Sequence, residues 1–212
     1  MARPRIHDDA TAEALLDAAG ALLRESGISG VSVRAVAARS GTSFRAVYAV
    51  FGSKQALVDA LAERGYRSLT ARVGDLPLTE DAGRDLVQAG AEAFRCFALE
   101  QPELFRLTFE QVSAEVLRQE RVARAALGSY EALRGRVQRA RAAGLVHPDR
   151  SDEQCVLAFH SLCHGLAAAE LASRRPPDGP GFWPMLRAAD LAPVWCDALA
   201  GLVRHLGSVP EA

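Results

Sequence analysis

The sequence has 212 residues, 25 basic and 26 acidic side chains for a formal charge of −1, and an apolar content of 49% against 6% aromatic. Those proportions, with no stretch of sustained two-residue alternation, favour helices over sheets, and the length suits a small domain plus a larger one or a single all-helical body with a small head. Cys96, Cys155, Cys163 and Cys196 form no CxxC pair and no secretory pattern opens the chain, so reduced, mostly buried thiols in a cytoplasmic protein are expected.

Taken in order, Met1 to His7 carry Arg3 and Arg5 without periodicity, either a basic arm or a frayed tail. A first helix follows from Thr11 to Ser26, burying Leu15, Leu16, Ala19, Leu22 and Leu23, with Gly27 as its stop and Ile28 and Val31 closing the core. The stretch Val31 to Lys54, VSVRAVAARSGTSFRAVYAVFGSK, reads as two short helices around a sharp turn. Ser32 caps the first, whose inner face carries Val33, Val36 and Ala37; Gly41 makes the turn; Ser43 caps the second, with Val47, Val50 and Phe51 expected inward. That small, glycine, aliphatic spacing is the pattern of a helix-turn-helix.

Charge points the same way. From Ser26 through Val58 there is no acidic residue, while Arg34, Arg39, Arg45 and Lys54 fall inside, so a phosphate backbone would meet cations alone. On the second helix Phe44, Arg45 and Ala49 face outward toward bases, and Thr42, Ser43, Tyr48 and Lys54 are placed for phosphates. An ordinary helical hairpin with a solvated basic face is the competing reading.

Ser53 caps a fourth helix with Leu57, Leu61 and Leu69 at helical spacing to about Val73, and GDLPLTED then marks a boundary. The expected division is therefore 1-52 for the head, 53-73 for a connecting helix and 74-212 for a larger domain. Within the latter, a fifth helix spans Glu80 to Leu99, a sixth starts at Pro102, and a long seventh spans Glu115 to Ala143, capped by Gly144. The seventh helix's arginines, Arg118 to Arg141, alternate with Glu115, Glu120 and Glu131 as on a solvated face. An eighth helix from Asp152, EQCVLAFHSLCHGLAAAELA, is apolar on nearly all sides, and a ninth runs from Leu191 to Leu206. About nine helices are expected in all.

Helices eight and nine offer Leu162, Leu166, Glu170, Val194, Trp195, Ala198 and Leu202 as the face of a homodimer closed by a four-helix bundle. Phe94, Phe97, Phe105, Phe109, Phe159, His160 and His164 either line an apolar pocket for a small effector or pack as plain core. The loop with Phe182 and Trp183 is a lid or a strap. His160 and His164, four apart beside Cys163, have a spacing that metals accept, but HSLCH lacks the Glu of a zinc-hydrolase helix, and satisfied core histidines are the expectation. No phosphate loop or nucleophile elbow is legible, so neither enzyme activity, cofactor nor metal is expected. Charges interrupt every apolar run, so no membrane-spanning segment is expected.

The first quarter of the chain resembles the N-terminal domain of the TetR family of transcriptional regulators. The likeness runs from the Thr11 helix through SVRAVAARSGTS to VYAVFGSKQALVDA, with Tyr48, Phe51, Ser53 and Lys54 in the family's Tyr, Phe and Ser-Lys places. Val50 departs from a common aromatic, and Arg45-Ala46 from a frequent Gly or Thr, so the bases read are not carried over. QPELFRLTFE, RAAGLVHPD and LCHGLAAAEL resemble the ligand-sensing domain of a TetR subgroup named for Trp-His-Gly; His164 and Gly165 match, and Cys163 stands near the aromatic or aliphatic place. The resemblance implies a dimeric DNA-binding regulator, usually a repressor, released from a palindromic operator by a small hydrophobic effector. A helical ligand-binding or scaffold protein without DNA binding is the alternative.

Overall fold

The computed structural model describes residues 6–111, 119–174 and 190–209, with side chains from Ala10 onward. Arg3 and Arg5, the expected helix start with Glu115 and Arg118, and Phe182 and Trp183 of the expected loop lie outside the described residues. The protein is all-α. Among the described residues there are nine helices and no strand: α1 Ile6–Gly30, α2 Val33–Arg39, α3 Phe44–Phe51, α4 Lys54–Asp75, α5 Ala82–Glu100, α6 Pro102–Phe109, α7 Glu120–Ala142, α8 Asp152–Ser173 and α9 Ala192–Leu206. Gly27, at φ 64° and ψ −170°, breaks α1 and leaves a single further turn beyond it. The middle of α5, Ala89–Phe94, is wound as a π-helix.

The chain forms two compact units. The first joins Met1–Arg67 to Gln101–Ala126, and the second joins Ser68–Glu100 to Leu127–Ala212. This packing differs from the expected division at 52/53 and 73/74, because α6 packs along α1 and belongs with the head. The seam between α4 and α6 is unusually close. A Cβ on Gly65 would lie 1.9 Å from Thr108 Oγ1, so only glycine admits this approach. The Tyr66 hydroxyl donates to the Thr108 carbonyl at 3.0 Å, and Tyr66, Val122 and Ala125 with Phe109 and Ala126 form an apolar cluster over it. This unit's core also includes Leu15, Leu16, Ala19, Leu23, Val31, Val36, Val47, Leu57 and Leu61, all buried.

In the second unit α5, α8 and α9 close around Gly90. A Cβ there would meet Leu199 Cδ1 at 2.6 Å, Cys163 Sγ at 2.9 Å and Phe159 Cζ at 3.1 Å; the glycine in the π-helical stretch is what lets three helices converge. The lower end of α4 is held by Arg136 of α7. Its buried guanidinium donates through Nη2 to the carbonyls of Val73 (2.7 Å) and Leu76 (2.9 Å), and through Nη1 to those of Pro77 (3.2 Å) and Asp85 (3.3 Å). These include carbonyls that a helix end leaves without partners. Burial pulls the Arg136 pKa below an arginine's ordinary value, but the group is too basic to lose its proton.

Beside it, buried Asp85 accepts from the Thr79 amide (2.8 Å), the Thr79 hydroxyl (2.7 Å) and Arg139 (3.1 Å). Burial alone would raise its pKa; the Thr79 and Arg139 bonds outweigh that and leave it lowered.

The apolar α8 corrects one expectation. At 22 residues it is, by length and composition, long and apolar enough to cross a bilayer. It instead puts Cys155, Val156, Phe159, Cys163, Ala167 and Leu171 into its own unit's core, which is the ordinary position of a core helix.

Arg136→Met keeps the length and apolar stem but takes the guanidinium's bonds from four carbonyls, of which that of Asp85 keeps the Ala89 amide, and is expected to cost about 3 kcal/mol of unfolding free energy. Urea denaturation of the variant beside the parent chain measures it.

Candidate nucleic-acid interface

The geometry of the head follows from four serines and two glycines. Ser32, in extended backbone, accepts the Ala35 amide at 3.1 Å and starts α2. The Ser40 hydroxyl folds back onto the Val36 carbonyl at 2.7 Å, Gly41 turns at φ +66°, and the Thr42 amide reaches the Ala37 carbonyl at 3.0 Å. Ser43 then accepts the Ala46 amide at 3.1 Å and starts α3. Gly52, at φ +74°, closes α3 with its N–H on the Tyr48 carbonyl at 2.8 Å, and Ser53 caps α4 by accepting the Ala56 amide at 3.0 Å.

With Val47 fully buried, the opposite side of α3 is committed to solvent. Phe44 (46% exposed), Arg45, Tyr48 (47%) and Ala49 share it. The Phe44 and Tyr48 rings lie 5.0 Å apart at 36°. Val50, expected inward, is 38% exposed. Three residues past Val47 advance a helix by about 300°, to one side of the buried line, whereas the four to half-buried Phe51 advance it about 400° and return nearer the core.

The cations are not equivalent. Arg39 is gripped by both Glu25 oxygens, at 2.6 and 2.7 Å, and that bond holds Glu25 below its ordinary pKa. Glu25 sits one residue before the acid-free run, so a count along the chain overlooks it. Arg34, Arg45 and Lys54 are exposed, and no carboxylate among the described residues pairs with them. Thr42 is half-buried; Ser43 is exposed and, having accepted Ala46, still has its hydroxyl hydrogen to donate.

The expected pocket residues divide between the two units. Phe105 and Phe109 belong to the first, tilted at 46° with ring centres 5.5 Å apart, with Phe109 edge-on to Tyr66 at 5.5 Å. Phe94, Phe97, Phe159, His160 and His164 belong to the second. Phe94 meets His160 edge-on at 5.6 Å, and the two imidazoles lie 6.1 Å apart. Burial, then the neighbouring His164, push the His160 pKa below its ordinary value, so it is neutral at neutral pH. Burial also drives the Cys163 thiol well up, away from the thiolate that metals bind. No cluster of three or more potential metal-binding side chains occurs among the described residues.

Two of the expected dimer-face residues are inside the subunit. Glu170 and Trp195 are 2% and 1% exposed. The Glu170 carboxylate accepts from Arg95 Nε (2.9 Å) and Nη2 (2.7 Å), Trp195 Nε1 (2.9 Å) and Arg174 Nη2 (3.1 Å). A buried carboxylate needs such donors, and it turns inward to reach them. Leu162, Leu166, Ala198 and Leu202 are half-buried and Val194 exposed, as are Leu157 of α8 and Cys196 of α9.

The two families of residues that the sequence singles out are matched by family models. A model described as bacterial regulatory proteins of the tetR family covers residues 15–61. A second, described as a tetracyclin repressor-like C-terminal domain, covers 87–183. No curated protein matches significantly. A structure of a protein of unknown function from Rhodococcus sp. RHA1 is similar at 27% identity and TM-score 0.77, covering 93% of this chain and 96% of its own. The TetR family regulator PfmR from Thermus thermophilus is similar at 20% identity and TM-score 0.61, with 88% and 97% covered. The multidrug binding protein EbrR, complexed with imidazole, is similar at 20% and 0.63, with 99% and 96% covered. A helix-turn-helix head on an all-helical body defines a DNA-binding transcription regulator. The chain belongs to the TetR family.

Glu170 carries a testable consequence. Burial by itself would raise its pKa, but the hydrogen bonds from Arg95 and Trp195 and the charges of Arg95 and Arg174 leave it below the ordinary 4.5. A carboxylate lowered on folding contributes stability that is complete above the unfolded value and is lost as pH falls below it. Unfolding free energy is expected to drop as pH descends from about 4.5 through the folded value. Glu170→Gln is expected to be less stable at neutral pH and to fall less steeply over that acid range, measured by urea titration at stepped pH.

Proposed function

We propose that the protein is a cytoplasmic repressor that binds a palindromic operator as a homodimer and leaves it when a small hydrophobic effector binds. The observation that carries this reading is the outward face of α3 and its surroundings. Arg34, Arg45 and Lys54 stand without acidic partners among the described residues, around a helix whose caps and buried Val47 aim Phe44, Arg45, Tyr48 and Ala49 outward. A duplex groove presents the complementary charge and polar edges.

In this reading α3 enters the major groove. Arg45 grips a guanine through two hydrogen bonds, while Phe44 and Ala49 meet base edges. Thr42, Ser43, Tyr48, Lys54 and Arg34 meet phosphates and fix the register. Two copies place two such helices in successive grooves. Leu162, Leu166, Val194, Ala198 and Leu202, with exposed Leu157, form the face through which α8 and α9 meet the partner. Phe94, Phe97, Phe159, His160 and His164 of the second unit are the apolar groups offered to the effector. EbrR, of the same fold, is a multidrug binding protein. Effector and operator prefer different conformations of the dimer, so each weakens the other's binding by the same factor. No residue is assigned a catalytic role.

Binding to duplexes from the gene's upstream region at two salt concentrations tests this. A steep salt dependence with preference for one palindrome is expected, whereas weak, flat binding would support a scaffold. Arg45→Ala is expected to cost about 1–3 kcal/mol on the preferred duplex and relax base choice; Lys54→Ala should weaken all duplexes alike and lower the salt slope by about one. Sedimentation equilibrium at micromolar concentration is expected to show a dimer, weakened by Val194→Glu, a change at an exposed position that leaves the fold intact.

A further inference from the structure

Phe44 is an odd residue for the exposed face of a cationic head. It is 46% exposed at the first position of α3, next to Arg45, which no carboxylate among the described residues pairs, in a stretch without acidic residues. Tyr48, one turn on, meets it ring to ring at 5.0 Å and 36°. That contact braces the phenyl ring, so less side-chain freedom remains to be lost when it is covered.

The chemistry of a phenyl ring limits what it can read. It has no donor or acceptor, so it cannot answer the polar edges of guanine, cytosine or adenine. In the major groove thymine alone among the four bases offers an apolar feature, the C5-methyl group, beside its O4 acceptor. Residues in the first turn of such a helix are the ones that reach base edges. We propose that Phe44, held by Tyr48, is a specificity-determining residue that packs on the C5-methyl of one thymine in each operator half-site. This deepens the DNA-binding reading above and rests on it. Arg45, immediately after Phe44, then reads a neighbouring base, and the pair makes a thymine-plus-purine step the unit of recognition on one strand.

The test separates the methyl from everything else about the base. The full-length protein selects a preferred duplex from a randomised pool, and that duplex is resynthesised with each thymine in turn replaced by deoxyuridine, which keeps pairing and O4 and removes the methyl alone. One symmetry-related position per half-site is expected to raise Kd about fourfold, the worth of one buried methyl. Phe44→Ala should weaken binding to the thymine duplex at least as much and become indifferent to the swap at that position. Phe44→Leu, which keeps apolar surface, should retain the discrimination. Equal binding of every single-deoxyuridine duplex by the parent protein, or full sensitivity surviving in Phe44→Ala, overturns the proposal while leaving the DNA-binding reading intact. Failure to select any duplex overturns both. Phe44 lies outside the core, so circular dichroism of the variants should match the parent.

Discussion

Val47 is the residue on which the head's surface depends. α3 has eight residues, little more than two turns, and one of them is driven completely into the core. Once that position is pinned, the helix has no freedom to rotate, and Phe44, Arg45, Tyr48 and Ala49 are left facing water. Ser43 and Gly52 keep the helix from lengthening or unwinding, the first by accepting the Ala46 amide and the second by turning at positive φ. A presented surface of this kind is rigid because a small apolar core and two caps define it, independent of any contact made by the surface itself.

The second unit solves a different problem, that of burying charge. Arg136 spends its donors on four backbone carbonyls and Glu170 accepts from three side chains, so neither is left unpaired away from water. Each network also ties elements together: Arg136 of α7 holds the end of α4 and the start of α5, and Glu170 of α8 holds Arg95 of α5 and Trp195 of α9. Directional bonds of this kind specify one arrangement of helices where an apolar contact would tolerate several. Gly90 completes the arrangement by letting α5 come close enough for those bonds to form.

The close seam of Gly65 on Thr108 has the same logic in the first unit. A missing side chain lets the backbones approach, and the Tyr66 hydroxyl on the Thr108 carbonyl fixes their register. It also explains why α6 packs with the head although it follows in sequence α5, a helix of the other unit.

The sequence by itself determined the helical class, the nine helices among the described residues, and the turn between α2 and α3, because caps, positive-φ glycines and apolar spacing act within a few residues of one another. Tertiary structure decided what depends on partners distant in sequence. Glu25 takes Arg39 out of the set of unpaired cations from 14 residues away. Glu170 and Trp195 look like surface residues on the apolar faces of their helices, but Arg95, 75 residues from Glu170, draws the carboxylate inward and the indole follows. Val50 reads as core by type and lies exposed, since a two-turn helix has room for one buried line and Val47 already defines it. Local rules are written in neighbouring residues; the pairing of buried charge, and the choice of which apolar side chain is covered, are settled only when the chain has folded.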